Sequence, residues 1–145
     1  MLSLDWDRSV DLDLELLTPE GKFVDPKHPS TAPSEGDGGI PTPLPPDVGV
    51  LDRDSNAGCV DGHQHEDLVF QEKPPKGHYL VYANLFDSCG EPAVRFTLSF
   101  HASQAGKRPG TFEVVETYRT SGEILGMQEN GGSGRGLYLT EFDSK

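Results

Sequence analysis

Leu2-Ser3-Leu4-Asp5-Trp6-Asp7-Arg8-Ser9-Val10-Asp11-Leu12-Asp13-Leu14-Glu15-Leu16 opens the chain with apolar side chains at even positions. Odd positions carry Asp5, Asp7, Asp11, Asp13 and Glu15. Side chains alternate across a strand, so this period of two predicts a half-buried strand, whereas a helix needs apolar residues three and four apart. Thr18-Pro19-Glu20-Gly21 reads as a turn, with Pro setting φ and Gly free to take a positive φ, so Lys22-Phe23-Val24 returns as a short antiparallel strand.

Working outward, period-two patterning resumes at Val94, Phe96, Leu98 and Phe100, and more weakly at Phe112 and Val114. Tyr79 to Phe86 is nearly continuous in β-formers, the pattern of a central strand covered on both faces; Tyr79, Tyr82, Phe86, Phe96 and Phe100 read as core. Seven or eight short strands with turns about ten residues apart predict an all-β fold, a single sandwich of jelly-roll or Ig-like type over residues 1–145. Seven of the twelve prolines fall between Pro26 and Pro46. Proline removes ladder donors, so residues 25–47 read as a Pro/Gly-rich surface loop, and the Gly-rich stretch 129–136 as a hairpin end or linker.

The 145 residues carry 24 acidic and 12 basic side chains, a net charge of −12. That balance leaves no basic stripe for phosphates and argues against nucleic acid as a partner. No apolar run approaches the length of a transmembrane helix. The patterned start suits either a cytosolic protein or a domain taken from within a longer exported chain. The expectation is the second, in an extracellular or periplasmic place, with a cytoplasmic one if Met1 is the native start.

Chemistry concentrates in Leu51-Asp52-Arg53-Asp54-Ser55-Asn56-Ala57-Gly58-Cys59-Val60-Asp61-Gly62, followed by His63-Gln64-His65-Glu66-Asp67. Calcium takes six to eight oxygens, and oxygen side chains at every second position of a tight loop converge on one ion. Asp52, Asp54 and Asn56 have that spacing, but Ala57 and His63 stand where an EF-hand needs Gly and Glu. Glu66 or Asp67 completes the shell from farther along. Asp11 and Asp13 share a strand face with Glu15, where like charges repel; a bound cation removes the penalty, and a face that is simply wet is the alternative.

These strings, with Gly77-His78-Tyr79-Leu80-Val81-Tyr82 and Cys89-Gly90, resemble the YfaP-like family of bacterial β-sandwich domains over roughly residues 4–101. More distantly the chain is similar to the TerD-type tellurite-resistance domains, in which an Asp-rich first strand and a later loop bind calcium. That resemblance implies Asp11, Asp13, Asp52, Asp54, Asn56 and Glu66 as calcium ligands, with Asp61 and Asp67 as further candidates. The implied setting is an exported protein, where an even cysteine count reads as a bridge, so Cys59 and Cys89 are expected to be joined; in a cytosolic chain they read as separate thiols.

His63 and His65 raise a zinc alternative, yet the chain lacks the His-Glu-x-x-His pattern that delivers a catalytic site. Gly131-Gly132-Ser133-Gly134-Arg135-Gly136 fails both the nucleophile-elbow and dinucleotide patterns. Trp6 is read as core, with ligand stacking as the alternative. The expected function is therefore a non-catalytic, calcium-stabilised binding or structural module. Its ligand is an unidentified protein or carbohydrate, and it acts as a monomer or weak oligomer. A metal-dependent hydrolase or accessory domain, and a cytosolic TerD-like stress-response scaffold, are the alternatives.

Overall fold

A computed structural model describes residues 1–33 and 43–145. Nine strands are found among them: β1 Leu2–Trp6, β2 Asp11–Leu17, β3 Phe23–Val24, β4 Gly49–Leu51, β5 His65–Phe70, β6 Gly77–Asp87, β7 Ala93–Ala105, β8 Phe112–Leu125 and β9 Leu137–Ser144. They form a five-stranded sheet of order β4-β5-β1-β7-β8 and a four-stranded sheet of order β3-β2-β6-β9, all pairs antiparallel. The two sheets pack face to face over one apolar core.

The opening run is not one strand. It breaks at Asp7–Val10, and β1 and β2 enter different sheets. The period of two survives the break because each sheet turns its apolar residues to the same core. Leu2, Leu4, Trp6, Val10, Leu12, Leu14 and Leu16 are all buried there, with Leu68, Val81 and Leu98 opposite or beside them. Trp6 is thus a core residue. At about 25 cal/mol per Å² of apolar surface, leucines of this kind dominate the stability of the domain.

The expected turn forms, with Gly21 at φ 84° and its N–H donating to Thr18 O at 2.9 Å. It returns the chain as β3, which pairs Val24 with Leu16 and Phe23 with Leu17. β6 is central in its sheet, between β2 and β9. Its inner face supplies Tyr79, Val81, Ala83 and Leu85 to the core, and loops cover Asn84 on its outer face.

The structure adds detail to three segments. Residues 25–47 hold more than a surface loop: Ser30 and Ala32 are buried, and Leu51 N–H donates to Pro29 O at 2.8 Å. Its stretch 34–42 lies outside the described residues. Of the two readings of 129–136, hairpin end or linker, the chain takes the second, running from β8 in one sheet to β9 in the other. Phe112 and Val114 do lie in a strand, but they stand 78% and 71% exposed on the far end of the long β7–β8 hairpin. Alternation there reflects pairing, not burial.

Candidate metal centre

The odd residues of β2 point away from the core, into a cleft of about 610 Å³ on the outer face of the four-stranded sheet. Asp11, Asp13 and Glu15 line it at 3%, 5% and 4% exposure. The face expected to be wet or metal-bound is therefore walled in. Register places Asp13 opposite Asn84 and Glu15 opposite Tyr82, with a bulge after Asp11 that sets it against Asp87. The loop after β4, the stretch 21–27 around β3 and the 129–136 segment complete the wall, with Asp54, Gly58, Phe23, Asp25 and Arg135 among its residues.

Carboxylate oxygens of Asp11, Asp13 and Asp54 all lie within 4.8 Å of one another. Gly58 N–H donates to Asp11 Oδ2 at 2.8 Å, which docks the loop onto the strand. Asn84 Nδ2 approaches Asp13 Oδ2 at 3.5 Å, the outer limit of a hydrogen bond. Burial, followed by the charges of Asp11 and Asp54, pushes the Asp13 carboxyl up to about 8. Burial also raises Asp11 to about 6 and Glu15 to about 7, and lifts Asp54, with Asp61 adding to it. A divalent cation held by the three aspartates would reverse this repulsion.

Glu66 lies behind this group, fully buried on β5. Because β3 pairs only Leu16 and Leu17, the neighbouring edge of β2 is open at Leu14, and Glu66 closes it. Its Oε2 accepts from Leu14 N–H at 2.7 Å and its Oε1 from Ser55 N–H at 2.9 Å. Burial, then Asp13 and Asp54, raises it to about 9 against the pull of those two donors. Glu66 thus ties β5, β2 and the loop together beneath the triad.

The remaining candidates separate. Asn56, fully buried with φ 59°, donates to Val10 O at 3.0 Å and accepts from Gly62 N–H at 2.7 Å. Asp61 Oδ1 accepts from Asn56 and His63 N–H at 2.9 and 2.8 Å. These two residues shape the loop. Asp52 instead turns to the edge of the other sheet, where Oδ1 accepts from Asp67 N–H at 2.9 Å. Asp67 accepts from Ser3 Oγ at 2.5 Å and meets His65 Nε2 at 3.0 Å. The every-second-residue spacing fails because Asp52 is still held by the β4–β5 ladder, while Asp54 lies beyond it and is free to turn.

Cys59 and Cys89 are joined, as expected. The bridge ties the loop one residue past Gly58 to the turn after β6. His65 lies between two carboxylates, with Nδ1 2.7 Å from Asp5 and Nε2 3.0 Å from Asp67, so both ring nitrogens are engaged; His63 is exposed. Neither histidine lines the cleft.

No family model, curated protein or solved structure matches the chain. The fold also brings in groups that sequence spacing missed. Gly136 N–H donates to Glu15 Oε2 at 3.1 Å, at a position where a Cβ would run into Ala83 O. Asn130 Nδ2 donates to Asn84 Oδ1 at 2.5 Å, and Arg135 lies 5.7 Å over the Phe23 ring. Glu15 was legible as the next odd residue after Asp13; Asn130, Arg135 and Gly136, more than a hundred residues later, left no local signal.

Two outcomes are expected from this arrangement. Asn56→Ala strands the Gly62 N–H and Val10 C=O and places alanine in a left-handed conformation, which should cost about 2–4 kcal/mol in urea denaturation. A loss below about 1 kcal/mol, the size of one ordinary hydrogen bond, would show that Asn56 does not pin the loop. The second concerns pH. Carboxyls raised in the folded state bind protons there that the unfolded chain has already released above its pKa of about 4. Metal-free protein should therefore lose stability as pH rises from about 4 towards the raised values of about 6 to about 9. Melts in chelator at mildly acidic and mildly alkaline pH test this, and saturating calcium should flatten the slope by holding the carboxylates charged.

Proposed function

We propose that this domain is a non-catalytic, calcium-stabilised binding or structural module, built on a jelly-roll or Ig-like β-sandwich and belonging to an exported bacterial protein engaged in adhesion or surface interaction. The observation that carries the metal reading is the convergence of Asp11, Asp13 and Asp54 at the wall of a cleft, where the charges acting on Asp13 are those of other carboxylates. Oxygen-only donors suit a hard cation, and three carboxylates leave calcium room for further oxygens. The Cys59–Cys89 bridge supports an oxidising compartment. His65, engaged on both ring nitrogens away from the cleft, gives the hydrolase reading little support.

Native mass spectrometry of protein purified without chelator tests the reading directly. The expected spectrum shows one calcium per chain, lost on Asp13→Asn and retained on Asp52→Asn. A spectrum free of calcium, together with no heat on calorimetric titration with calcium, would refute it.

A further inference from the structure

We infer that two copies of this chain pair through β8, edge to edge and antiparallel about a two-fold axis, in the register that sets Glu116 opposite Arg119 of the second copy.

β8 ends its sheet, so one side of this 14-residue strand has no neighbour among the described residues. An edge of that length is a template for another strand unless something spoils it. A bulge does so here: Phe100 pairs with Tyr118 but His101 pairs with Glu116, which leaves Thr117 as an extra residue. Opposite residues share a face, so the bulge puts the strand out of step with itself. From Tyr118 onward the even residues Tyr118, Thr120, Gly122 and Ile124 face inward with Phe100, Leu98, Phe96 and Val94. Before the bulge the even residues Phe112, Val114 and Glu116 face outward with Ala105, Ser103 and His101. The same shift lets Arg119 and Glu116, three residues apart on a strand, form an ion pair at 2.5 Å.

A straight strand laid along this edge matches its faces on one side of Thr117 and mismatches them on the other. A second copy carries the same bulge. Run antiparallel with the two bulges side by side, residues Phe112 to Glu116 of one copy lie opposite Glu123 to Arg119 of the other, and outward residues meet outward ones throughout. Charge selects the same register. Each Glu116 meets an Arg119, while Glu113 and Glu123 meet Gly122 and Phe112, so no like charges stand opposite. A shift of one residue either way puts the faces out of step, and a shift of two loses the opposed charges. Each Glu116–Arg119 pair becomes half of a square of alternating charge, with His101 beside it at 3.9 Å from Glu116. Bulges and charges ordinarily protect an edge; on β8 they reject a foreign strand and fit a second copy.

The pairing also gives the outer half of β8 something to rest against. β1 accompanies β7 only as far as Phe100, so beyond His101 the β7–β8 hairpin is a two-stranded ribbon with Phe112 and Val114 exposed on its outer side. Such a ribbon is marginal in water on its own. The register lays it along the Arg119–Glu123 half of the second copy, which β7 and β1 back, and brings Phe112 diagonally beside Leu125, itself 44% exposed. Two five-stranded sheets then join as one, and the two-fold closes the assembly at a dimer.

Sedimentation equilibrium of the full chain from about 1 to 300 µM tests the inference, since a small interface made by one strand edge falls in the micromolar range. The expected result is a monomer–dimer equilibrium. Arg119→Glu and Glu116→Arg each set like charges opposite one another at both symmetric positions and should weaken the dimer by about tenfold or more. The double exchange restores opposed charges and should restore the dimer. If a reversal disturbs folding, cross-linking reads the register without it: Glu116→Cys chains mixed with Arg119→Cys chains should join under mild oxidation, and neither should join alone. A monomer throughout the range overturns the inference, as does a mass above the dimer. A dimer indifferent to both single reversals uses another surface, and one that the double exchange fails to rescue, or that gives no mixed cross-link, uses another register; each of these also overturns it.

Discussion

Saturating calcium should raise the melting temperature well above that in chelator. At about 100 times its dissociation constant, an ion that binds only the folded state adds about 2.7 kcal/mol, or roughly 5–11 °C for a domain of this size. Asp13→Ala and Asp54→Ala should each abolish most of that increment, because both sit in the triad. Asp52→Ala should leave it intact and cost only about 1 kcal/mol, since Asp52 serves the Asp67 N–H at the sheet edge. In chelator the order changes. Asp13→Asn removes a buried carboxyl whose charged neighbours are other carboxylates and whose one donor is the distant Asn84 amide, so the metal-free variant should melt no lower than the metal-free parent, and above it at alkaline pH. Superimposable melts with and without calcium would sink the metal centre.

Loss of the Cys59–Cys89 bridge should be the largest single destabilisation outside the core. The crosslink spans 30 residues, and the chain-entropy account assigns such a loop roughly 3–4 kcal/mol. The expected consequence reaches calcium as well. Cys59 follows Gly58, whose N–H holds Asp11, and Asp54 belongs to the same loop. A loop released at Cys59 samples more conformations and must surrender more entropy to bring Asp54 onto the strand. The double Cys→Ser variant should therefore melt lower and bind calcium more weakly than the bridged protein, as measured by scanning and titration calorimetry. Equal calcium affinities with and without the bridge would show that the loop is held by Glu66 and Asn56 alone.

Much of the fold could be read directly. Alternation from Leu2 to Leu16 marks strand and names the inward face, because pleating obliges alternate side chains to opposite sides. The same alternation hides the break between β1 and β2. A strand that changes sheets while facing one core keeps its period, so nothing in the pattern reveals where the chain crosses over. Ser30 and Ala32 were obscured in another way. Proline-rich composition rules out an interior strand but does not forbid a bridge to the edge strand β4, and Ser30 makes one with Val50.

For the site, residue types and the pairing of an acidic strand with an acidic loop were legible, and so were the two cysteines. Spacing alone decided that Asp11, Asp13 and Glu15 share a face, since residues two apart on a strand must do so. Which loop acids join them was a tertiary matter. Asp52 and Asp54 look equivalent in a D-x-D-x-N string, yet the β4–β5 edge claims the first and the cleft receives the second. Glu66 shows the same limit: it closes the bare edge of β2 at Leu14, an edge that exists only because β3 is two residues long. The sequence by itself determined strands, their inner faces and an acidic stripe, because these follow from local periodicity and charge. The meeting of Glu15, Asn84 and Arg135 around one cleft was decided by the tertiary structure alone, since long-range pairing of β2 with β6 and the crossing from β8 to β9 set distances that no local pattern encodes.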